Sequence, residues 1–318
     1  MRELLVLGAM LLAAASTRAQ EEEIVANLSG GRVIVHVAKD AIIFGAIDKP
    51  LEAKSIPPRM VTIDAGHIGI IFGAEEWQVP AQPKPIRMDR GIEHASRPDP
   101  RYQPPADSES DLEQFGVIFL EKLRPLVAQL HHKIDLKPDE PLLEIVVIGY
   151  GPKDYGPEVW LMEYRVEQEA ISSRADYLET RPLRPRFTQL YPPEKHEAHT
   201  LVEVHFPNDS QEVPLVGLIQ QNDPRIVRLK SSEQGFAKVT ELIERGQAQK
   251  AVGKDAADFM QAVLPLLAGG ATFFEGTMSE TGRFAWIVPP EEPFEKEKEV
   301  EDKNRPPEAP TLRRKTSP

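Results

Sequence analysis

Residues 33–48 read VIVHVAKDAIIFGAID, two short β-branched runs on either side of Lys39-Asp40. Val, Ile and Phe in such density suit a pleated strand, and Lys-Asp suits the turn between two of them, so strands are expected over 32–37 and 41–46 as a hairpin. Outward from it, Met60 to Ile63, the turn Asp64-Ala65-Gly66 and the run His67 to Phe72 read as a second hairpin. Its nearly continuous apolar character is that of strands buried on both faces. A third hairpin is expected from the strand at 142–150, a Gly/Pro turn and a returning strand at 158–166.

Elsewhere the period changes. Leu112, Phe115, Ile118, Phe119, Leu123, Leu126 and Leu130 form a stripe that predicts an amphipathic helix over 111–132, with Pro125 as a kink. Helices are also expected over 236–246 and 254–267, the second stopped by Gly269-Gly270, with a closing strand at 284–288. Prolines recur throughout 78–107, which predicts a long loop without helix or central strand. No repeat of fixed period occurs.

The order of hairpin, hairpin, helix, hairpin, helices and strand asks for stacked sheets covered by helices. The segment 33–48 is similar to the opening strands of proteasome β-type subunits, where two short strands turn at a Lys-Asp pair and lead to an acidic residue. Residues 59–74, RMVTIDAGHIGIIFGA, resemble that family's next segment. Residues 144–164, EIVVIGYGPKDYGPEVWLMEY, resemble its later hairpin, in which a strand ends in Gly-Tyr and a Gly-Pro precedes the return. The resemblance implies an α+β chain with the fold of the amino-terminal-nucleophile (Ntn) hydrolases, a four-layer αββα sandwich, here carrying a Pro-rich insertion.

In that design the first residue after processing, a Thr, Ser or Cys, attacks the substrate; its own α-amino group is the base, and a Lys and an acidic side chain tune the pair. Carried onto this chain, the nucleophile position falls on Gly31 and the lysine position on Arg59. A guanidinium stays charged at any working pH and cannot serve as a tunable amine. The acidic residue arrives one place late, at Asp48 rather than Ile47. Ser29 is the nearest hydroxyl, in a turn-like Ser29-Gly30-Gly31. The resemblance therefore implies a vestigial site of Gly31, Asp48, Arg59 and Ser29 with no catalytic residue, unless a second cleavage before Ser29 exposes a new terminus.

The chain ends add context. Met1-Arg2-Glu3, the apolar run 4–15 and small residues at Thr17 and Ala19 predict a signal peptide over 1–19, with Gln20 as the mature terminus and a periplasmic or extracellular destination. No later stretch is apolar for long enough to span a membrane after that cleavage. Residues 291–318 are rich in Glu, Lys, Arg and Pro and are expected to be a disordered tail, leaving one domain over 20–290.

Composition acts mainly by exclusion. A formal charge of −12 disfavours a nucleic-acid partner, because phosphate binding needs a net basic face. The absence of Cys removes disulfides, thiol catalysis and Cys-type metal sites. His196, Glu197, His199, Glu203 and His205 are metal-ligand types without the H-E-x-x-H spacing, and no metal or cofactor is expected from them. His131-His132 reads as helix-end capping. Asn27-Leu28-Ser29 matches a glycosylation sequon, and Gly149-Tyr150-Gly151 lacks the third glycine of a dinucleotide fingerprint. Neither a G-x-S-x-G elbow nor a phosphate-binding P-loop occurs.

Three readings follow. The chain is a secreted, catalytically silent relative of proteasome-type hydrolases, acting as a structural module or binding a protein or small molecule. Alternatively it is an active peptidase or amidase unmasked by cleavage near Ser29, or an unrelated α+β envelope protein that binds a ligand or partner.

Overall fold

The computed structural model describes residues 24–49, 51, 56–64, 66–79, 82–95, 112–130, 140–151, 155–170, 178–195, 197–208 and 212–290. The expected signal peptide, the charged tail, His131-His132 and His196 lie outside them. The chain is mixed α+β with antiparallel sheets.

One sheet has seven strands: β1 (Val25–Ser29), β4 (Arg59–Thr62), β5 (His67–Gln78), β6 (Ile86–Arg87), β7 (Leu143–Tyr150), β8 (Pro157–Tyr164) and β11 (Arg186–Tyr191). Its path runs β1-β5-β7-β8-β11, with β4 and β6 also paired to β5. The other sheet has five strands, β12 (Val202–Phe206), β2 (Gly31–Val37), β3 (Ala41–Asp48), β13 (Phe273–Ser279) and β14 (Phe284–Val288), in that order. A separate pair joins β9 (Val166–Ala170) to β10 (Leu178–Pro182). The helices are α1 (Met88–Ala95), α2 (Leu112–Val127), α3 (Leu215–Gln220), α4 (Pro224–Ser232), α5 (Gln234–Glu244) and α6 (Gly253–Ala268).

All three hairpins read from the sequence form, closing at Val37↔Ile42, Thr62↔Ile68 and Tyr150↔Pro157. Their apolar runs are continuous because successive side chains leave opposite faces of a strand and each face meets a different core. In β2 and β3, Val33, Val35, Ile42 and Phe44 pack with Ile70, Phe72 and Val146 of the seven-stranded sheet. Their neighbours Ile34, Ile43 and Ile47 pack instead with helical residues such as Leu218, Val239 and Phe259. In the seven-stranded sheet Ile71, Ile145 and Val147 turn toward Ile92 of α1 and Phe119 and Leu123 of α2. Fully burying side chains such as Phe44, Phe72 and Phe119 contributes about 1.5–3 kcal/mol each.

Helix ends follow local chemistry. Gly269 takes the left-handed conformation (φ 60°) that stops α6, as its position after the apolar stripe predicts. Asp223 caps α4 by accepting from the Arg225 amide, with Pro224 at the first helical position. In α2 Pro125 falls in the last turn, and Ile118, counted in the predicted stripe, is 41% exposed while Leu120 is buried.

The expected structureless loop over 78–107 is corrected. Residues 86–87 pair with β5 and 88–95 form α1, because no proline falls between Pro85 and Pro98 and Met88 and Ile92 supply a buried stripe one turn apart.

Among the buried residues Glu275 stands out. It lies on β13 opposite Gly45, neither carboxyl oxygen has a hydrogen-bond partner among the described residues, and burial pushes its pKa up to about 8, with Asp258 of α6 adding to the rise. The unfolded chain ionises this group near the ordinary value of 4.5 while the folded chain does not, so its contribution erodes as pH rises from 4.5 to 8. Glu275→Met is expected to raise the urea midpoint, by a margin that grows over that interval at up to ~1.4 kcal/mol per pH unit. A margin independent of pH contradicts the assignment.

Candidate functional site

The last residues of β3 and the start of β4 face each other across a cleft of about 580 Å³ between the two sheets. Asp48, Phe274 and Trp286 line it from the five-stranded sheet, and Arg59, Met60 and Arg87 from the seven-stranded one. Asp89 and Arg90 of α1 extend the second wall.

Asp48 is fixed by Thr272. Its amide donates to the Thr272 carbonyl (2.9 Å), and its Oδ2 accepts from the Thr272 hydroxyl (3.3 Å). Oδ1 is shielded from solvent and has no hydrogen-bond partner among the described residues. Burial raises the pKa of this carboxyl above the ordinary aspartate value, with the Thr272 bond pulling the other way. Thr272 is the sole hydroxyl among the described residues lining the cleft, and it is committed to Asp48.

On the opposite wall Arg59 pairs with Glu76 (Nη2 to Oε2, 3.1 Å), both side chains nearly buried, and Glu76 also accepts from Asn27 Nδ2 at 3.0 Å. Arg87 grips Asp89 through Nε (3.1 Å to Oδ1) and through Nη2 to Oδ2. Behind them Glu75 is fully enclosed and accepts from the Ser29 hydroxyl. Burial pushes Glu75 up to about 8, opposed by Ser29 and Arg59. Glu75 and Glu76 are acids inside an apolar strand; that interruption was the sequence signal for this network.

The structure brings the positions singled out by the resemblance into one region. Gly31 is paired directly with Asp48, and Asp48 and Arg59 line facing walls of the cleft. At Gly31 φ is 151°, and a Cβ there would lie 2.1 Å from the Ile47 carbonyl oxygen, so the position admits no side chain. Ser29 is fully buried at the end of β1, paired with Gly73 and preceded by four residues bonded to β5. Its sequon is taken up inside the sheet, since Asn27 is bonded to Glu76 and Ser29 to Glu75.

Two other clusters serve structure. The buried His67, at the start of β5, meets Asp64 through Nδ1 (2.9 Å) and Glu158 through Nε2 (2.7 Å). Trp160 Nε1 donates to the remaining Glu158 oxygen at 3.0 Å. Burial opposes a charge on the ring, but the two carboxylates outweigh it and raise the pKa to about 9. The pair clamps the second hairpin's turn to the third hairpin's returning strand. The described metal-type residues split between two places. His199 lies against Tyr191 while His205 meets Glu203 at 3.0 Å, and no metal-binding group of three appears among the described residues.

No protein-family model and no curated protein matches this chain.

Two outcomes follow from these geometries. Gly31→Ser is expected to destabilise the fold by about 2–3 kcal/mol in denaturant titration, since β2 or β3 must shift to admit the Cβ. Unchanged stability contradicts the packing described. His67 holds its proton in the folded state up to about pH 9 while the unfolded chain loses it near 6.5. Its contribution is thus complete below 6.5 and is lost as pH rises to 9, by roughly 3 kcal/mol at most. Imidazole NMR titration is expected to place His67 near 9 and to move it down in Glu158→Gln.

Proposed function

We propose that the chain is a secreted, catalytically silent domain of the proteasome-like Ntn type, and that its cleft binds a ligand where active relatives hold their substrate. The four-layer αββα reading is supported by three apolar clusters in sequence: α1 and α2 on the seven-stranded sheet, sheet on sheet, and α3 to α6 on the five-stranded sheet. Secretion rests on the leader-like pattern at 1–19.

The observation that carries the silent reading is the Ile47 carbonyl oxygen, 2.1 Å from where a side chain at Gly31 would begin. An Ntn mechanism needs an attacking oxygen and a free α-amine on one residue. Gly31 offers neither, since its amino group is the peptide following Gly30. The active reading through Ser29 would require removal of Val25 to Leu28 from the edge of β5, uncovering a row of unpaired backbone groups. It would also leave the hydroxyl facing Glu75 in a fully buried position.

Expression with the native leader, followed by amino-terminal sequencing, is expected to return Gln20 as the first residue. The purified protein is expected to leave acyl and peptide substrates uncut. Turnover together with covalent labelling of a new terminal Ser29 overturns the proposal.

A further inference from the structure

The proposed cleft sets a carboxyl on one wall against guanidiniums on the other, and this narrows what can occupy it. Resting on that reading, we infer that the cleft takes a small zwitterion, an ammonium and a carboxylate joined by an apolar body, as in a short peptide with both ends free.

On the wall of the five-stranded sheet, Asp48 Oδ1 is hidden from water without a donor among the described residues, and Thr272 serves only the other oxygen. A shielded carboxylate oxygen lacking a donor is costly, and an ammonium supplies both the missing hydrogen bond and the opposite charge. Beside it Trp286 is 36% exposed, held edge-on by Phe274 (5.7 Å, 87°) and Phe284 (4.7 Å, 89°). Those contacts fix the indole as a rigid apolar surface at the cleft. Met60 adds apolar surface from the facing wall.

The facing wall carries three guanidiniums, each with an acid beside it. It brings Arg59, Arg87 and Arg90 to the cleft against one lining acid, Asp89. Arg59 is engaged by Glu76 and Arg87 by Asp89, whereas Arg90 is 71% exposed at its side chain and meets Glu93 only at 3.8 Å. Arg90 is therefore the guanidinium that can turn to a carboxylate at least cost.

A simple organic cation satisfies Asp48 but leaves Arg90 with only its 3.8 Å contact to Glu93. A simple anion satisfies Arg90 but leaves Asp48 uncompensated. A zwitterion matches both walls, and the 580 Å³ of the cleft is in the range that small-ligand sites occupy. Discrimination then comes from repulsion as well as attraction, because each capped form of the ligand strands one wall.

The test uses the full secreted protein and trileucine, with its N-acetylated and C-amidated forms. Binding is read from Trp286 fluorescence and by calorimetry, with Trp286→Phe confirming the origin of the optical signal. Trileucine is expected to saturate, and each cap to weaken binding roughly tenfold or more. Asp48→Asn should weaken the free peptide to the level of the N-acetylated form while leaving that form unaffected, and Arg90→Gln should do the same for the C-amidated form. Arg90 is exposed, so Arg90→Gln folds and its arm stands even if Asp48→Asn does not fold.

Capped and free peptides binding equally would overturn the zwitterion assignment while leaving a binding cleft in place. Calorimetric silence with every form overturns it as well. Appearance of leucine or dileucine in the mixture would instead overturn the silent reading beneath it, so the two failures are distinguishable.

Discussion

The central strands of both sheets are buried on both faces, and most other features are consequences of that constraint. A strand with water on one side can place its polar residues there; β2, β3, β5 and β7 have no such side. Any acid within them must be paired, protonated or brought out at a strand end. Glu76 is paired with Arg59 and Asn27, Glu75 is pushed toward its neutral form, and Asp48 sits at the last residue of β3, where the sheet opens. Close packing between sheets also leaves no slack where their ends converge. Gly31 is held between the Ile47 carbonyl and the Phe72 ring, which stands 3.3 Å from the position of an added Cβ.

The same constraint leaves the cleft independent of any side chain at residue 31. The cleft lies between the paired end of β3 and start of β13 on one side and the start of β4 on the other, and each wall is held by side-chain bonds. Arg59 is tied to Glu76 on β5 and Arg87 to Asp89 on α1, while Asp48 is tied to Thr272 before β13. The first two ties are charge-assisted hydrogen bonds and the third is an exposed 3.3 Å bond, and none of the three uses a side chain at residue 31.

How much of this was legible in the sequence depended on whether the signal was local. The three hairpins were, because β-branched runs and turn residues lie within one short window, and α5 and α6 were, because a helical stripe and a glycine cap are local too. β13 was not: Glu275, Gly276 and Ser279 dilute its apolar pattern, and its place beside β3 is fixed only by pairing across more than two hundred residues. β1 was hidden by Asn27 and Ser29, which read as sequon and turn until Glu76 and Glu75 are seen to receive them. α1 was missed because proline density over the whole segment was weighed above the proline-free stretch within it. At the site, Gly31, Asp48 and Arg59 were indexed through the resemblance, whereas Trp286 and the α1 arginine came from distant segments that no spacing rule connects.

Electrostatics and packing here pull in one direction. Glu75, Glu144 and Glu275 are each pushed up to about 8 by burial, and His67 is held near 9 by two carboxylates. All four groups favour the folded state when protonated, so each loses contribution as pH rises, the carboxyls from 4.5 to 8 and the imidazole from 6.5 to 9. His36 acts the other way. Enclosed and bonded through Nε2 to the Ala248 carbonyl, it is lowered to about 4 by burial, so its contribution is lost as pH falls from 6.5 toward 4. Between pH 4.5 and 6.5 three carboxyl slopes oppose the single slope of His36, so these groups together make the fold firmest toward the acidic end of that interval. The carboxyls that create the alkaline slope are the same ones that double-sided burial leaves without water, which ties pH response to topology rather than to any site chemistry.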